Sequence, residues 1–492
     1  IADMDVDAAV IGLARLAAGA GCTLSPTGRR FRCGGKTKHP LALSLVYLSL
    51  ACSLFSALAA LPAERFPSLM RRAGFVLLGG AGAAAMAAGA LALGSPQRVA
   101  AAVLPVGLPW LAWHVRVDAV AGLFLLLLGF VVTAAAFYGP SYVREFEHGR
   151  DPLSVLGAFT GLFVAAMTAV IVADDAFFFM SAWEGMSLAG YMLIAFQHEQ
   201  AANRQAAFLF LLMSQIGALA ILLGFGVLAA SGGDFTFAAM RGAAVSPVWA
   251  AVVFGLALAG FGMKAGLVPL HAWLPEAHSA APSYISALMS GVMLKVAVYG
   301  FIRVVFDLLG GPQAGWGVVC LIVGGASALF GILYAMMQQD IKRVLAYSSV
   351  ENLGIVFMAL GLSMIFQGGG QAALGRLALV AALYHCVNHA AFKSLLFFSA
   401  GAVIQHSHER DLECMGGLIR RMPVTAVCFL VGSMAISGLP PLNGFVSEWL
   451  TFQAALQAPA LDSGVLRIII PIGAAALALS TALAAACCVK VY

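Results

Sequence analysis

Only 10% of the 492 residues are charged, against the quarter or so usual in a soluble domain, and 62% are hydrophobic. Such a chain has too little polar surface to dissolve in water. The nine cysteines include no C-x-x-C pair; seven lie far apart and two are the adjacent Cys487 and Cys488. That leaves no ligand spacing for iron–sulfur clusters or c-type haem, so no cofactor is expected. The net charge is only +5, with basic residues scattered rather than clustered, which argues against nucleic acid as a partner. The apolar runs are continuous rather than alternating, so a transmembrane barrel is excluded.

What is present is a series of apolar runs, each long enough to cross a bilayer as a helix of about 20 residues. Their pattern predicts an all-α polytopic membrane protein of about thirteen transmembrane helices. The expected spans are 41–62, 73–94, 118–138, 153–173, 176–197, 206–230, 248–280, 282–308, 315–337, 344–364, 374–404, 423–456 and 466–490. The lipid bilayer is the first partner this implies.

The seventh and twelfth spans are too long for one straight crossing. Each has a breaker at its middle: Pro269 and Pro275 in the seventh, Pro440 and Pro441 in the twelfth. Proline removes a backbone donor and collides with the preceding turn, so both helices should be interrupted. Residues 153–308 and 315–490 then form two five-helix sets, each with its broken helix fourth, following a three-helix region at 39–140. An odd count turns the second set over, which is the pattern of an inverted repeat with an ion or substrate site near the membrane midplane. Ordinary proline kinks are the alternative.

Loops after odd-numbered helices hold eleven arginines and lysines, among them Arg71, Arg150, Lys342, Arg343 and Arg410, against five after even-numbered ones. That bias places the odd loops in the cytoplasm. Residues 1–38 begin without methionine, lack the order of a cleavable signal and carry basic residues that would have to be translocated. They form an atypical segment, and the natural chain is expected to run on past Tyr492.

Six ionisable residues fall within apolar helices: Glu184, Lys264, Lys295, Glu351, Lys393 and Glu448. Each unpaired charge at a helix centre costs about 2.5–3.5 kcal/mol, so six would cost on the order of 15–20 kcal/mol. A whole domain is typically stable by only about 5–15 kcal/mol. The six must therefore pair, line a hydrated cavity or spend time neutral, all of which suit a proton path. Lys264 is the natural partner of Glu184, and a purely structural ion pair is the alternative. Lys295 lies mid-run among small residues that allow close packing, with snorkelling to the interface as its alternative. His385, His389 and Lys393 recur every four residues and share one helix face, where histidines can exchange protons near pH 7. A metal reading of the two histidines lacks a third ligand. Glu448 follows the second break, with helix-end solvation as its alternative. Glu351 is expected near the cytoplasmic surface, as proton entry or helix cap. His271 and His278, inside the first break, could extend the path. Asp174 and Asp175 suit a helix N-terminus.

These residues sit in Trp183-Glu184, Lys264 to His278, Asp340 to Ser349, His385 to Lys393 and Gly438 to Glu448. Together, over about 115–490, they resemble the antiporter-like membrane subunits shared by complex I, multisubunit cation/proton antiporters and membrane-bound nickel–iron hydrogenases. Trp183 to Ser187 and Ser349 to Gly354 are most similar to the hydrogenase 4 component B and formate hydrogenlyase branch. The resemblance implies the inverted-repeat fold, with Glu184, Lys264, Lys295 and Glu448 at the family's key ionisable positions. It also implies a bacterial inner-membrane location, and as partners other membrane subunits and a peripheral nickel–iron hydrogenase or dehydrogenase arm. The chain would then translocate protons under the drive of a redox partner, with no catalytic, cofactor or metal residues of its own. Two other classes remain open: cation/proton antiport, which two buried lysines beside Glu184 disfavour, and a non-transporting scaffold.

Overall fold

The computed structural model describes residues 40–147 and 151–492. The atypical segment 1–38 and Arg150 lie outside the described residues. Helices appear where the apolar runs place them: α1 Pro40–Ala60, α2 Phe75–Gly94, α3 Ala119–Tyr142, α4 Leu153–Val172, α5 Ala176–Ile194 and α6 Ala201–Gly232. The seventh span is two pieces, α7 Pro247–Ala265 and α8 Trp273–Ala280. Next come α9 Ser283–Leu308, α10 Ala314–Met337, α11 Ile341–Gly368 and α12 Ala372–Ser407. The twelfth span is α13 Pro423–Ile436 plus α14 Asn443–Ala455, and α15 Gly464–Val491 ends the bundle. Among the described residues twelve helices are long and apolar enough to cross a membrane, and α13 is a shorter apolar helix in the broken twelfth span.

The expectation of an all-helical chain needs one correction. Residues between α2 and α3 form an antiparallel hairpin, β1 Ala100–Leu108 and β2 Leu111–Val117. The alternation Trp113-His114-Val115-Arg116-Val117 is the strand signal, with Val115 and Val117 buried. Its shortness beside 20-residue apolar runs hid it. Trp113 stacks on Phe178 of α5 at 4.7 Å.

Both breaks occur at the expected motifs. At the first, Gly266 ends α7 in the left-handed region (φ +81) and Trp273 Nε1 donates to Met263 O at 2.8 Å, pinning α8 back onto α7. Pro269 lies in the interruption, whereas Pro275 sits in the first turn of α8, where its missing donor costs nothing. At the second, Gly438 (φ +59) follows α13, and Pro440 and Pro441 lie in the gap. The left-handed backbone favours glycine there, and a Cβ would come 2.6 Å from Glu448 Oε2 and have to displace that carboxylate.

The most apolar windows of α9 and α11 are entirely buried, while that of α15 is 22% buried, so α9 and α11 form the axis and α15 the rim. Around that axis backbones touch: a Cβ on Gly331 of α10 would lie 2.5 Å from the amide of Glu351.

Polar side chains tie the helix ends into two faces. On one, Arg303 pairs with Asp118 (2.6 Å) and Asp307 (3.1 Å), and Arg241 with Asp307 and Asp174 (both 2.9 Å). Burial pushes the Asp118 carboxyl up, but Arg303 outweighs it and holds the group well below the usual carboxylate range. Asp175 caps α5 as expected, accepting from Phe178 N at 2.7 Å, and also holds His114 N of the hairpin. The other face gathers the ends of odd-numbered spans. Arg410 meets Asp340 at 3.2 Å, Arg343 meets Glu276 at 2.8 Å, and Lys342 caps α8 through Ser279 O and Ala281 O. The loops after the seventh, ninth and eleventh spans thus meet on one side.

Candidate functional site

Five of the six singled-out charges are buried: Lys264, Lys295, Glu351, Lys393 and Glu448 are each 4% exposed or less. No two of the six form an ion pair. Their partners are hydroxyls, amides, an imidazole and a backbone carbonyl, most of them from neighbouring helices but Asn352 for Glu351 and Ser290 O for Lys295 from the same one.

Lys264 lies in the last turn of α7, just before the break. Its ammonium donates to Ser187 Oγ of α5 (3.0 Å) and Ser214 Oγ of α6 (2.9 Å), and sits 4.3 Å above the Phe210 ring. The expected pair with Glu184 is absent. Trp183 and Ser187 are four residues apart and share the inward face of α5, which turns Glu184 outward. Glu184 is half-buried and accepts from Gln215 Nε2 at 2.7 Å, in an open groove also lined by Met180, Ser181, Leu219 and Leu222.

Lys295 follows a π-helical stretch of α9, Met289–Met293, a distortion common at functional sites. It is fully buried, with Nζ on Ser290 O at 2.6 Å and in a close contact with His389 Nδ1 of α12. Ser290 Oγ meets Ser349 Oγ of α11 at 2.8 Å. Lys295 therefore does not snorkel.

The third group surrounds α12. His385, His389 and Lys393 share one face as the spacing requires, with the two imidazoles parallel and 6.5 Å apart. Lys393 Nζ donates to Ser348 Oγ at 2.5 Å. His385 joins Asn352 Oδ1 (3.1 Å) through Nε2 and Ser447 Oγ (2.9 Å) through Nδ1. Asn352 donates in turn to Glu351 Oε2 at 3.2 Å. Glu351 is not a helix cap: it is 1% exposed inside α11, and Asp340 caps that helix by accepting from Lys342 N and Arg343 N. Glu448 is not solvated at a helix end either, but accepts from Thr481 Oγ1 of α15 at 2.8 Å. Asn388 of α12 donates to Asn443 O (2.8 Å) and Ser447 Oγ (3.0 Å), stapling the start of α14 to this group.

His278 is fully buried against Phe397, and neither ring nitrogen has a protein partner. His389 Nε2 and Ser394 Oγ are also unpaired. An unsatisfied buried polar group costs about 1–3 kcal/mol, so these atoms call for internal water. His271 lies in the first break, half-buried with its ring facing Tyr347, and joins none of the three groups directly. Among the described residues no three His, Cys, Asp or Glu side chains are grouped to hold a metal.

Sequence reasoning missed the uncharged members: Ser187, Ser214, Ser290, Ser348, Ser349, Asn352, Asn388, Ser447 and Thr481. Serine and asparagine are common in membrane helices, and only their neighbours distinguish these. Arg303 was missed as well, although it is a charge inside an apolar run.

The geometry defines a class: a multi-pass helical membrane protein with two broken helices and a buried row of ionisable and hydroxylic side chains. The family described as NADH:quinone oxidoreductase/Mrp antiporter, transmembrane, matches residues 173–469, more than half of the chain, and the protein belongs to it. It is 41% identical to hydrogenase-4 component B of Escherichia coli K12 over 77% of this chain and 56% of that protein. Formate hydrogenlyase subunit 3 of the same organism is 32% identical over 77% of this chain and 60% of its own length. The chain thus spans little more than half of these relatives. A subunit of the Mrp complex of Dietzia sp. DQ12-45-1b shares the fold, with a TM-score of 0.76 at 22% identity over 92% of this chain and 78% of that one.

Proposed function

We propose that the chain is the proton-translocating, antiporter-like membrane subunit of a hydrogenase 4 or formate hydrogenlyase-type complex in the bacterial inner membrane. Its partners would be other membrane subunits and a peripheral nickel–iron hydrogenase or dehydrogenase arm whose electron transfer drives the protons. The names of the relatives support the type of complex.

The observation that carries the reading is that five buried ionisable groups sit on neutral hydroxyl, amide, imidazole and carbonyl partners instead of in ion pairs. A structural ion pair locks one charge state in place. A hydroxyl can donate or accept, so it solvates an amine or a carboxyl in either protonation state, as a relay requires. We read the two five-helix sets as an inverted repeat, with Lys264 and Glu448 beside its two breaks and Lys295, His389, His385 and Lys393 between them. His278 would connect the groups through internal water.

The test is proton pumping by the assembled complex in sealed vesicles, comparing wild type with Lys264→Ala and Glu184→Gln at matched assembly and matched electron transfer. Collapse of the pH gradient in the Lys264 variant supports the relay. Normal pumping by both variants would leave the buried groups structural and make the chain a scaffold. A gradient that instead depends on sodium or potassium would favour cation/proton exchange.

A further inference from the structure

His278 is fully buried, yet both its ring nitrogens lack a protein partner. Its place is nonetheless defined. The four-residue stripe of α12 continues past His385, His389 and Lys393 to Phe397, and the His278 ring stacks on Phe397 with centroids 5.4 Å apart. His278 therefore stands beside the turn that follows Lys393, toward the face where the loops after the seventh, ninth and eleventh spans meet.

A short helix carries that ring. α8 spans eight residues, too few to hold a helix unaided. Trp273 fixes its start on α7, and Lys342 and Arg343 tie it to α11 through Ser279 O, Ala281 O and Glu276. The tie to α12 is Arg410. Its Nη2 donates to Ser279 O at 2.5 Å and to Ser279 Oγ at 2.7 Å, while Nε pairs with Asp340 at 3.2 Å, and Ser279 directly follows His278. The backbone around Arg410 is held separately. Ile341 N donates to Arg410 O (3.1 Å) and Leu412 N to Gln339 O (2.9 Å), so α11 and α12 stay joined whatever side chain stands at 410.

We propose that Arg410 is a positioning residue for His278: it fixes the end of α8 against α12, so that the imidazole stays on Phe397, one turn from Lys393. The inference rests on the relay reading above and adds what holds one of its members. A neutral imidazole takes up a proton at one nitrogen and releases one from the other, so a ring with no protein partner on either nitrogen depends on its backbone for orientation. Arg410 supplies that from outside the row. Its guanidinium touches Ser279 and Asp340 but none of the row's own ionisable groups, so its effect on proton movement passes through His278.

The experiment measures protons pumped per electron transferred by the assembled complex in sealed vesicles, at matched assembly, for Arg410→Met, Arg410→Lys, His278→Ala and the double variant Arg410→Met with His278→Ala. Met keeps the apolar stem and removes the donors, and a loss of about tenfold to a hundredfold is expected, the scale of displacing a reacting group by about an ångström. His278→Ala should lose at least as much. The double variant should lose no more than His278→Ala, because an absent ring leaves nothing to position, and Arg410→Lys, which keeps a cationic donor for the Ser279 carbonyl, should recover most of the pumping. If Arg410→Met does not assemble, Ser279→Ala, which removes one of the two acceptors, takes its place in the cycle with a smaller expected loss. Normal pumping by Arg410→Met or by His278→Ala, a double variant that loses the product of the two single losses, or no recovery in Arg410→Lys would each overturn the positioning role. Any of these beside a pumping-deficient Lys264→Ala variant leaves the relay standing, whereas normal pumping by Lys264→Ala removes the relay and this role with it.

Discussion

The two broken helices solve the same problem differently. At the first, Lys264 is wrapped by two hydroxyls and an aromatic face, and Glu184 on the adjacent helix turns away into an open groove. At the second, Glu448 is covered by Thr481 and by the close approach of Gly438, and Asn388 holds the interrupted backbone in place. If the proposed relay operates, a break surrounded by hydroxyls would take up a proton with little rearrangement, whereas one stapled by amides would keep its geometry through the exchange. The first site would then be the more mobile in charge and the second the more rigid in structure.

That contrast is sharpest at Lys264. Replacing it with Ala should lower proton translocation by roughly 100-fold, the scale of a lost positioned acid–base group, at unchanged assembly. A variant that assembles and pumps within a few-fold of wild type would erase the distinction between the breaks. Gly438→Ala tests the rigid site. An L side chain at φ +59 costs about 1–2 kcal/mol, and its Cβ would also displace Glu448. Lower thermal stability of the detergent-solubilised complex is expected together with slower pumping, and an unshifted melting curve would contradict the assigned geometry.

Asn388→Ala should cost less, about 1 kcal/mol for the lost hydrogen bonds, and should raise hydrogen exchange at the start of α14 but not at α8. Equal protection at both breaks would show that the staple is redundant. A further test belongs to the opposite face. The folded Asp118 carboxyl lies below its ordinary value of 3.8, so the Arg303 clamp is fully present above about pH 4 and is lost as pH falls through the folded value. Asp118→Asn should remove that acid dependence of stability. If the wild type and the variant lose stability in parallel below pH 4, other carboxylates dominate.

Much of this architecture was legible because the bilayer imposes a local rule. An apolar run of sufficient length becomes a helix wherever it lies, and the motifs around Pro269 and Pro440 interrupt two of them. The hairpin 100–117 escaped because its alternation is brief and its residues are as apolar as the spans around it. At the site, the stripe of His385, His389 and Lys393 followed from helical spacing alone. The Glu184 and Lys264 pairing failed because composition says that a charge needs a partner without saying which way its side chain points. Ser187, three residues further along α5 and facing inward, takes Lys264 instead.

By itself, then, the sequence determined the membrane spans, the two interruptions and five of the buried charges, because burial in lipid depends on local composition and each charge there is costly. The tertiary structure decided which neutral groups receive those charges, that Glu351 is interior and Asp340 the cap, and that Glu184 faces outward. Those outcomes depend on the azimuth of each helix and on which backbone its glycines admit, and both are fixed only when the helices pack.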